Sequence, residues 1–276
     1  MLASSAFTAA ACDLGVSDRS SGTPAYIDLV QDCLGVLPLG FEVDTRLEDA
    51  FLARINTARR EAGLSPLALR RDLLPAARFH SLDMGVNGFF RHLGPDGRDL
   101  EKRVRALDRT LLSAGMRENI ASLSGWPRFG GEDTELHRAL MDSSGHRANI
   151  LAEAVTHCAI GVVRRGGDIW VTQVFVDVFG ELDAPLPARW SSGAERSVRA
   201  EVRDWQQDAV LLAFADGQKR ALQRRDNRPT RYTVPVGRRG EAASFVRVQK
   251  PLDSGAGIQF FDLLGPTLYV TGREGG

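Results

Sequence analysis

Apolar residues return every three or four positions from Leu47 to Ala58, which is the spacing of one helix face, and Gly63 then favours a helix end. The preceding letters "TRLE" are typical of a capping box, in which Thr45 caps the helix and Glu48 reaches back to it. The pattern therefore predicts the first clear helix from Thr45 onward.

Three further segments are predicted to be helical, over residues 72–87, 100–107 and 134–142. In the first of them, Asp72 can cap the start and Asn87-Gly88 ends the periodicity. Its expected inward positions are Leu73, Ala76, Ala77, His80 and Met84. We interpret His80 as a packed structural residue because it lies in the middle of this helix.

Strand patterns follow the helices. "CAIGVVRRGGDIWVTQVFVDVF" contains two β-rich runs around Gly166-Gly167, which predicts a hairpin. Short apolar runs separated by turn residues continue to the end of the chain and predict a small all-β module. The fold class is therefore expected to be α+β, with a small antiparallel sheet followed by this C-terminal module.

The same patterns predict the domain organisation. Residues 1–43 form a leader and an N-terminal arm, and residues 44–182 form the helix-rich domain. Residues 183–195, with two prolines and few core candidates, form a linker, and residues 196–276 form the β-rich module.

Charge gives no reason to expect a nucleic-acid partner, because 35 Lys and Arg balance 35 Asp and Glu. No apolar run approaches the roughly 20 residues that a membrane-spanning helix needs. We expect a monomer.

The first twelve residues, "MLASSAFTAAAC", predict either the tail of an export signal or a disordered Ala/Ser-rich leader. "TAAAC" resembles the end of a lipoprotein signal, so an exported protein at the periplasm or cell surface, attached to a membrane by a lipid on Cys12, is one expectation. The chain has three cysteines, and the sequence does not choose among their pairings. A Cys33–Cys158 bond would tie the arm to the core.

Two histidines and one glutamate lie in local contexts that suggest chemistry. His92 enters a turn after two phenylalanines, and His146 follows a glycine between helices. Glu118 lies on an apolar stretch, where a carboxylate is costly unless it is paired. Two His and one Glu suffice for a zinc-type site with an open water position, although their spacing does not define its geometry. Ser143 and Ser144 lack the glycines of a nucleophile elbow and fit a helix end better.

Five segments, in order, carry a family resemblance: "ARINTARREAGLSPL", "AARFHSLDMGVNGFFRH", "ENIA", "SSGHRANIL" and "IGVVRRGGDIWVTQVF". Residues from about 48 to 180 resemble the CAP superfamily (cysteine-rich secretory, antigen 5, pathogenesis-related 1), particularly its compact bacterial branch with SCP-like domains. The resemblance implies an α-β-α sandwich.

The resemblance also implies a cavity lined by two His and, in many members, two acidic residues. The histidines match His92 and His146, and the Glu of "ENIA" matches Glu118, with Asn119 lining the cleft beside it. The second acidic position falls on Ser143, so the acidic pair is incomplete. With a metal, the histidines are expected to be ligands and the Glu to neutralise charge; without one, the Glu holds the tautomer of one His.

Three functions remain open. The first is an extracytoplasmic binding module whose cleft holds a divalent metal such as zinc, or binds a small, lipid-like or cell-envelope ligand. The second is a cell-envelope hydrolase acting on peptide or cell-wall material, with His92, Glu118 and His146 as candidate catalytic residues. The third is a scaffold that presents the β module to a partner.

Overall fold

The structure is a computed structural model, which describes Cys12, Leu14 and residues 22–125, 130–224, 230–253 and 257–272. Its helices in these ranges are α1 (Thr23–Gly35), α2 (Thr45–Glu61), α3 (Leu74–Asn87), α4 (Leu100–Leu107), α5 (Glu132–Asp142) and α6 (Ser144–Ile150), with a 3-10 turn (Arg71–Leu73) before α3.

Strands β1 (Phe41–Val43), β2 (Ala68–Leu69), β3 (Leu111–Leu123), β4 (His157–Arg165) and β5 (Asp168–Leu182) alternate with these helices. The remaining strands are β6 (Arg189–Ser191), β7 (Glu195–Ser197), β8 (Ala200–Val202), β9 (Gln206–Ala213), β10 (Lys219–Ala221), β11 (Gln223–Arg224), β12 (Arg231–Thr233), β13 (Gly240–Pro251) and β14 (Ile258–Thr271). We refer to β6–β14 as the C-terminal β region.

The main sheet runs in the order β1-β4-β5-β3-β14-β13-β9-β10. Strands β4 and β5 form the predicted hairpin, and Gly166 at its turn has a φ of 61°, a conformation that glycine adopts without a steric penalty. Successive side chains of these strands point to opposite faces. Ile160 and Val171 therefore pack against α2, α5 and α6, whereas Ala159 and Val174 pack against α3 and α4. The fold is an α-β-α sandwich.

The predicted helices lie close to the observed ones, but the residue that caps α2 differs from the prediction. The helix predicted over residues 100–107 matches α4, and the five inward residues expected for the helix over residues 72–87 are all buried. Asp44, not Thr45, caps α2, since its side chain accepts a hydrogen bond from the Leu47 amide at 3.0 Å. Glu48 is buried against β4, where Arg78 and the Val162 amide are its partners, so it does not reach back to the cap.

The N-terminal arm contains a helix that the pattern analysis missed. Helix α1 buries Tyr26, Val30 and Cys33, which are spaced four and three residues apart, and packs beside α3. Its start contains a proline, which is well tolerated in the first turn of a helix.

Cys12 is bonded to Cys33, and Cys158 is free and buried. Of the three pairings that the sequence left open, the Cys33–Cys158 bond does not form, because Cys33 packs with α1 on one face of the sheet and Cys158 packs with α2 on the other. The bond also occupies the Cys12 sulfur, which a thioether-linked lipid would need. Burial raises the pKa of the Cys158 thiol to about 12.

The C-terminal β region is strand-rich, as predicted, and continues the main sheet. Strand β14 pairs with β3 at Leu264 and Ser113, and it also pairs with β13 and, in parallel, with β6. Arg105 of α4 adds a second connection by donating to the carbonyls of Gly265 and Ser244, each at 2.7 Å. In the described ranges, no helix combines the length and the apolar character needed to cross a bilayer.

Candidate functional site

Three elements carry the histidines and the glutamate that the sequence singled out. His92 lies in the loop between α3 and α4, which begins after Gly88 ends α3 in the left-handed conformation. Glu118 lies within β3, and His146 lies in the short helix α6. The site therefore combines one strand residue, held by the sheet, with residues from a loop and from a short helix.

Glu118 is the buried centre of a hydrogen-bonded group. Its side chain is only 3% exposed, and its Oε1 lies 2.8 Å from Nδ1 of His92. Its Oε2 accepts a hydrogen bond from Nη2 of Arg103. The other terminal nitrogen of Arg103 donates to the carbonyls of His92 (2.8 Å) and Arg98 (3.0 Å). Arg103 thus holds both the carboxylate and the loop that carries His92.

Arg103 is the residue that the sequence analysis missed. A buried carboxylate on β3 was expected to need a partner, but the partner was not identified. A usable signal exists in "LEKRVRAL", because Arg103 lies three residues after Leu100 and beside Val104, on the apolar side of α4. An arginine on the inward face of a helix predicts a buried anion opposite it.

The electrostatics of the two histidines differ. The hydrogen bond that His92 donates to Glu118 raises the pKa of His92 above its ordinary value, although partial burial opposes this. Burial and the nearby charge of His92 lower the pKa of His146. Burial alone would raise the pKa of Glu118, but the hydrogen bond from His92 and the charge of Arg103 outweigh it and lower that pKa. Glu118 is therefore a carboxylate at neutral pH.

Asn119 and Asn149 fix α6 against β3. The buried amide of Asn119 donates to the carbonyl of His146 at 3.1 Å, and to Oε1 of Gln173 at 3.1 Å. Asn149 donates to the carbonyl of Glu118 at 3.1 Å and to Oδ1 of Asn119 at 2.9 Å. These bonds place the backbone of His146 beside the strand that carries Glu118, so Asn119 has a structural role here.

Ser143 lies at the junction of α5 and α6, partly buried. Glu135, on the same helix α5, forms an exposed ion pair with Arg138 at 2.6 Å. Within the described part of the chain, no group of three or more His, Cys, Asp and Glu residues is arranged to hold a metal ion. We call His92, Glu118, Arg103 and His146 the histidine site.

His80 has the packed role that was expected. It is 1% exposed, its Nε2 lies 3.1 Å from the carbonyl of Arg91, and its ring lies against Phe89. Burial, with a smaller contribution from the charge of Arg103, lowers the pKa of His80 to about 4. The neutral ring supports the loop that leads to His92.

Part of the chain is similar to known proteins. The model of the CAP family (Cysteine-rich secretory protein family) matches residues 52–175, which include the whole histidine site. The uncharacterized protein YkwD of Bacillus subtilis (strain 168) is 35% identical over 121 residues, which are 44% of this chain and 43% of that protein. The chain thus spans less than half of the length of this relative.

Two solved structures are also similar. An outer surface protein from Borrelia burgdorferi has a TM-score of 0.43 and 16% identity, over 50% of this chain and 98% of that one. An extracellular protein containing an SCP domain from Bacillus anthracis has a TM-score of 0.42 and 25% identity, over 48% of this chain and 41% of that one.

Proposed function

We propose that this protein, whose residues 52–175 belong to the CAP family, is an extracytoplasmic binding protein, and that the histidine site holds its ligand. The ligand we favour is a polar group of a larger cell-envelope molecule, such as a lipid or a cell-wall fragment. His92 supports this choice because 57% of its side chain is exposed, so the site is open enough for one end of a large ligand.

The observation that carries the proposal is that both oxygens of Glu118 are engaged. One lies at hydrogen-bond distance from His92 and the other accepts from Arg103. With Nδ1 of His92 facing Glu118, the exposed ring presents its Nε2 edge to a ligand. Glu118 and Arg103 therefore orient His92, and neither needs to touch the ligand.

The same observation disfavours hydrolysis through Glu118. A general base needs an oxygen that can take a proton from water and a pKa near the working pH. Glu118 has its oxygens engaged, is almost fully buried, and has a lowered pKa. Ser143 and Ser144 do not match a nucleophile pattern either. We therefore favour binding over catalysis, because binding needs neither a general base nor a nucleophile.

The donor set does not fit a closed metal centre. Zinc in proteins is usually held by three or four protein ligands. With Glu118 committed to His92 and Arg103, the histidine site offers the two imidazoles, and the position of the family's second acidic residue holds Ser143. A zinc ion would then need donors from the ligand itself, which makes zinc a useful probe.

Isothermal titration calorimetry of the purified chain tests the proposal with three probes: zinc chloride, a muropeptide digest of cell wall, and a short-chain phosphatidylglycerol. We expect saturable binding of the muropeptides or of the lipid. The His92→Ala/His146→Ala variant should bind that probe at least about tenfold more weakly, since hydrogen bonds from both rings are lost.

His157→Ala is the matched control. This histidine is partly buried, lies on β4 and contacts Thr156, so its removal should leave binding unchanged. Equal affinity of the wild type and the double variant would refute a ligand site at His92 and His146. Hydrolysis of the muropeptides that disappears in Glu118→Gln would replace the binding role with an enzymatic one.

A further inference from the structure

The C-terminal β region contains a cavity that is separate from the histidine site. Its volume is about 510 Å³, which lies in the range of small-molecule sites. One wall is formed by residues 182–187, which begin at the end of β5, and another by residues 196–199 and Thr230. Trp190 also lines it.

Hydrogen bonds hold both walls in place. The amide of Leu186 donates to the carbonyl of Arg109, and the Arg109 side chain donates back to the carbonyl of Leu186, each at 2.8 Å. On the other wall, the amide of Val198 donates to the carbonyl of Thr230 at 2.9 Å. The cavity is therefore bounded by backbone that the rest of the fold positions.

Two nitrogens of lining residues are buried without a hydrogen-bond partner in the described structure. They are Nε1 of Trp190, whose side chain is fully buried, and Nε of Arg196. Buried donors nearly always have a partner, and each exception needs an explanation. Within the described residues these two donors on one cavity have no acceptor, so a bound group could supply one.

The chemistry of the walls defines that group. Leu182, Leu186 and Val198 give an apolar lining. Arg196 and Arg199 add positive charge. The Asp183 carboxylate lies 3.5 Å from Arg199, but both side chains are exposed to solvent, so this ion pair is weak. The cavity thus matches a molecule with an apolar body and a negatively charged hydrogen-bond acceptor.

We propose that this cavity binds a small organic carboxylate, whose carboxylate pairs with the Arg196 guanidinium while its apolar chain packs on Leu182, Leu186 and Val198. Arginine suits this role because its planar group matches a carboxylate. The unpartnered nitrogens are shielded from water, so the ligand reaches them by displacing part of the wall. The partly exposed side chain of Arg196 is the part we expect to move.

Octanoate is the probe that tests this site, with octanamide as its uncharged counterpart of equal chain length. Calorimetry on the full chain should give saturable binding of one octanoate, and octanamide should bind about tenfold more weakly or worse. Arg196→Gln should weaken octanoate binding by a similar factor and make the two probes nearly equal. Trp190→Phe, which removes the indole N–H, should also weaken it.

Arg189→Gln is the matched control, because Arg189 is exposed on β6 beside the same tryptophan but does not line the cavity. It should bind octanoate like the wild type, as should the His92→Ala/His146→Ala variant. Absence of saturable octanoate binding, equal affinity for octanamide, or unchanged binding by Arg196→Gln would each overturn the proposal. Arg196→Gln decides the matter if Trp190→Phe, a change in a fully buried side chain, does not fold.

Discussion

We call the described chain up to the end of β5 the helix-rich half. It differs from the C-terminal β region in whether charged side chains are buried. Up to β5, charged side chains are buried in specific pairs, such as Arg103 with Glu118, Arg70 with Asp108, and Arg164 with Glu132. After β5, the buried polar residues of the described structure are Ser192 and Ser244, which carry no charge. Ion pairs there, such as Arg247 with Asp262, are partly exposed.

This difference shows what holds each half together. A buried ion pair is costly to form and contributes little net stability, but it fixes the side chains that it joins. In the helix-rich half, one such pair fixes the loop that carries His92. The C-terminal β region is held by strand pairing and by an apolar cluster around Trp190 and Tyr232, and its exposed charges are open to outside partners.

The largest expected effect comes from removing Arg103. Arg103→Met leaves the Glu118 carboxylate buried without its cationic partner, so we expect a loss of about 3–5 kcal/mol in the free energy of unfolding. Urea denaturation at pH 7 measures this. The double variant Arg103→Met/Glu118→Gln should recover part of the loss, because no buried charge is then left unpaired. A single-variant loss within about 1 kcal/mol would mean that Glu118 finds other partners.

A smaller loss is expected from Gly161→Ala. A Cβ at Gly161 would lie 2.3 Å from the backbone carbon of Ala77, so α3 would have to move away from β4, at a cost of about 3 kcal/mol. Gly265→Ala tests the same change on β14, at a position that lies against Ser244 of the neighbouring strand β13. Its Cβ would lie 2.9 Å from the Ser244 hydroxyl, a longer contact made with a side chain and not with a helix backbone, so its effect should be smaller. Equal losses in the two variants would contradict this comparison.

Acid should weaken the helix-rich half through His80. Its pKa is about 4 in the folded chain, below the ordinary value of 6.5, so the unfolded chain binds its proton first as the pH falls. Between pH 7 and pH 5 this costs about 2 kcal/mol of stability. His80→Gln keeps a side-chain donor and removes the titration, so its urea midpoint should fall less over this range. Parallel pH profiles for the two proteins would show that other groups dominate.

The smallest effect is expected at a surface pair of the C-terminal β region. Arg247→Gln removes a partner of Asp262 that lies at 2.7 Å, but Asp262 keeps Lys219 at 3.0 Å, and the pair is partly exposed. We therefore expect a change of no more than about 1 kcal/mol in the free energy of unfolding. A loss similar to that of Arg103→Met would remove the contrast between the two halves.

Much of the helix-rich half could be predicted from local pattern. Residues 100–107, the hairpin at Gly166 and the inward face of α3 follow from spacing, because a residue's periodicity is a property of its own segment. The candidate residues His92, Glu118 and His146 also came from short motifs. Helix α1 shows the limit of this approach, since it lies in residues 1–43, for which the pattern predicted only a leader and an arm.

The sequence by itself determined the class of fold, four of the described helices around the sheet, and the three residues considered for the site. Only the tertiary structure decided their partners. Arg103 reaches Glu118 from fifteen positions away, Cys33 bonds to Cys12 because Cys158 lies across the sheet, and β14 joins β3 after a separation of more than a hundred residues. The physical reason is that local pattern fixes which face of an element is buried, whereas contacts between distant elements depend on how those faces pack together.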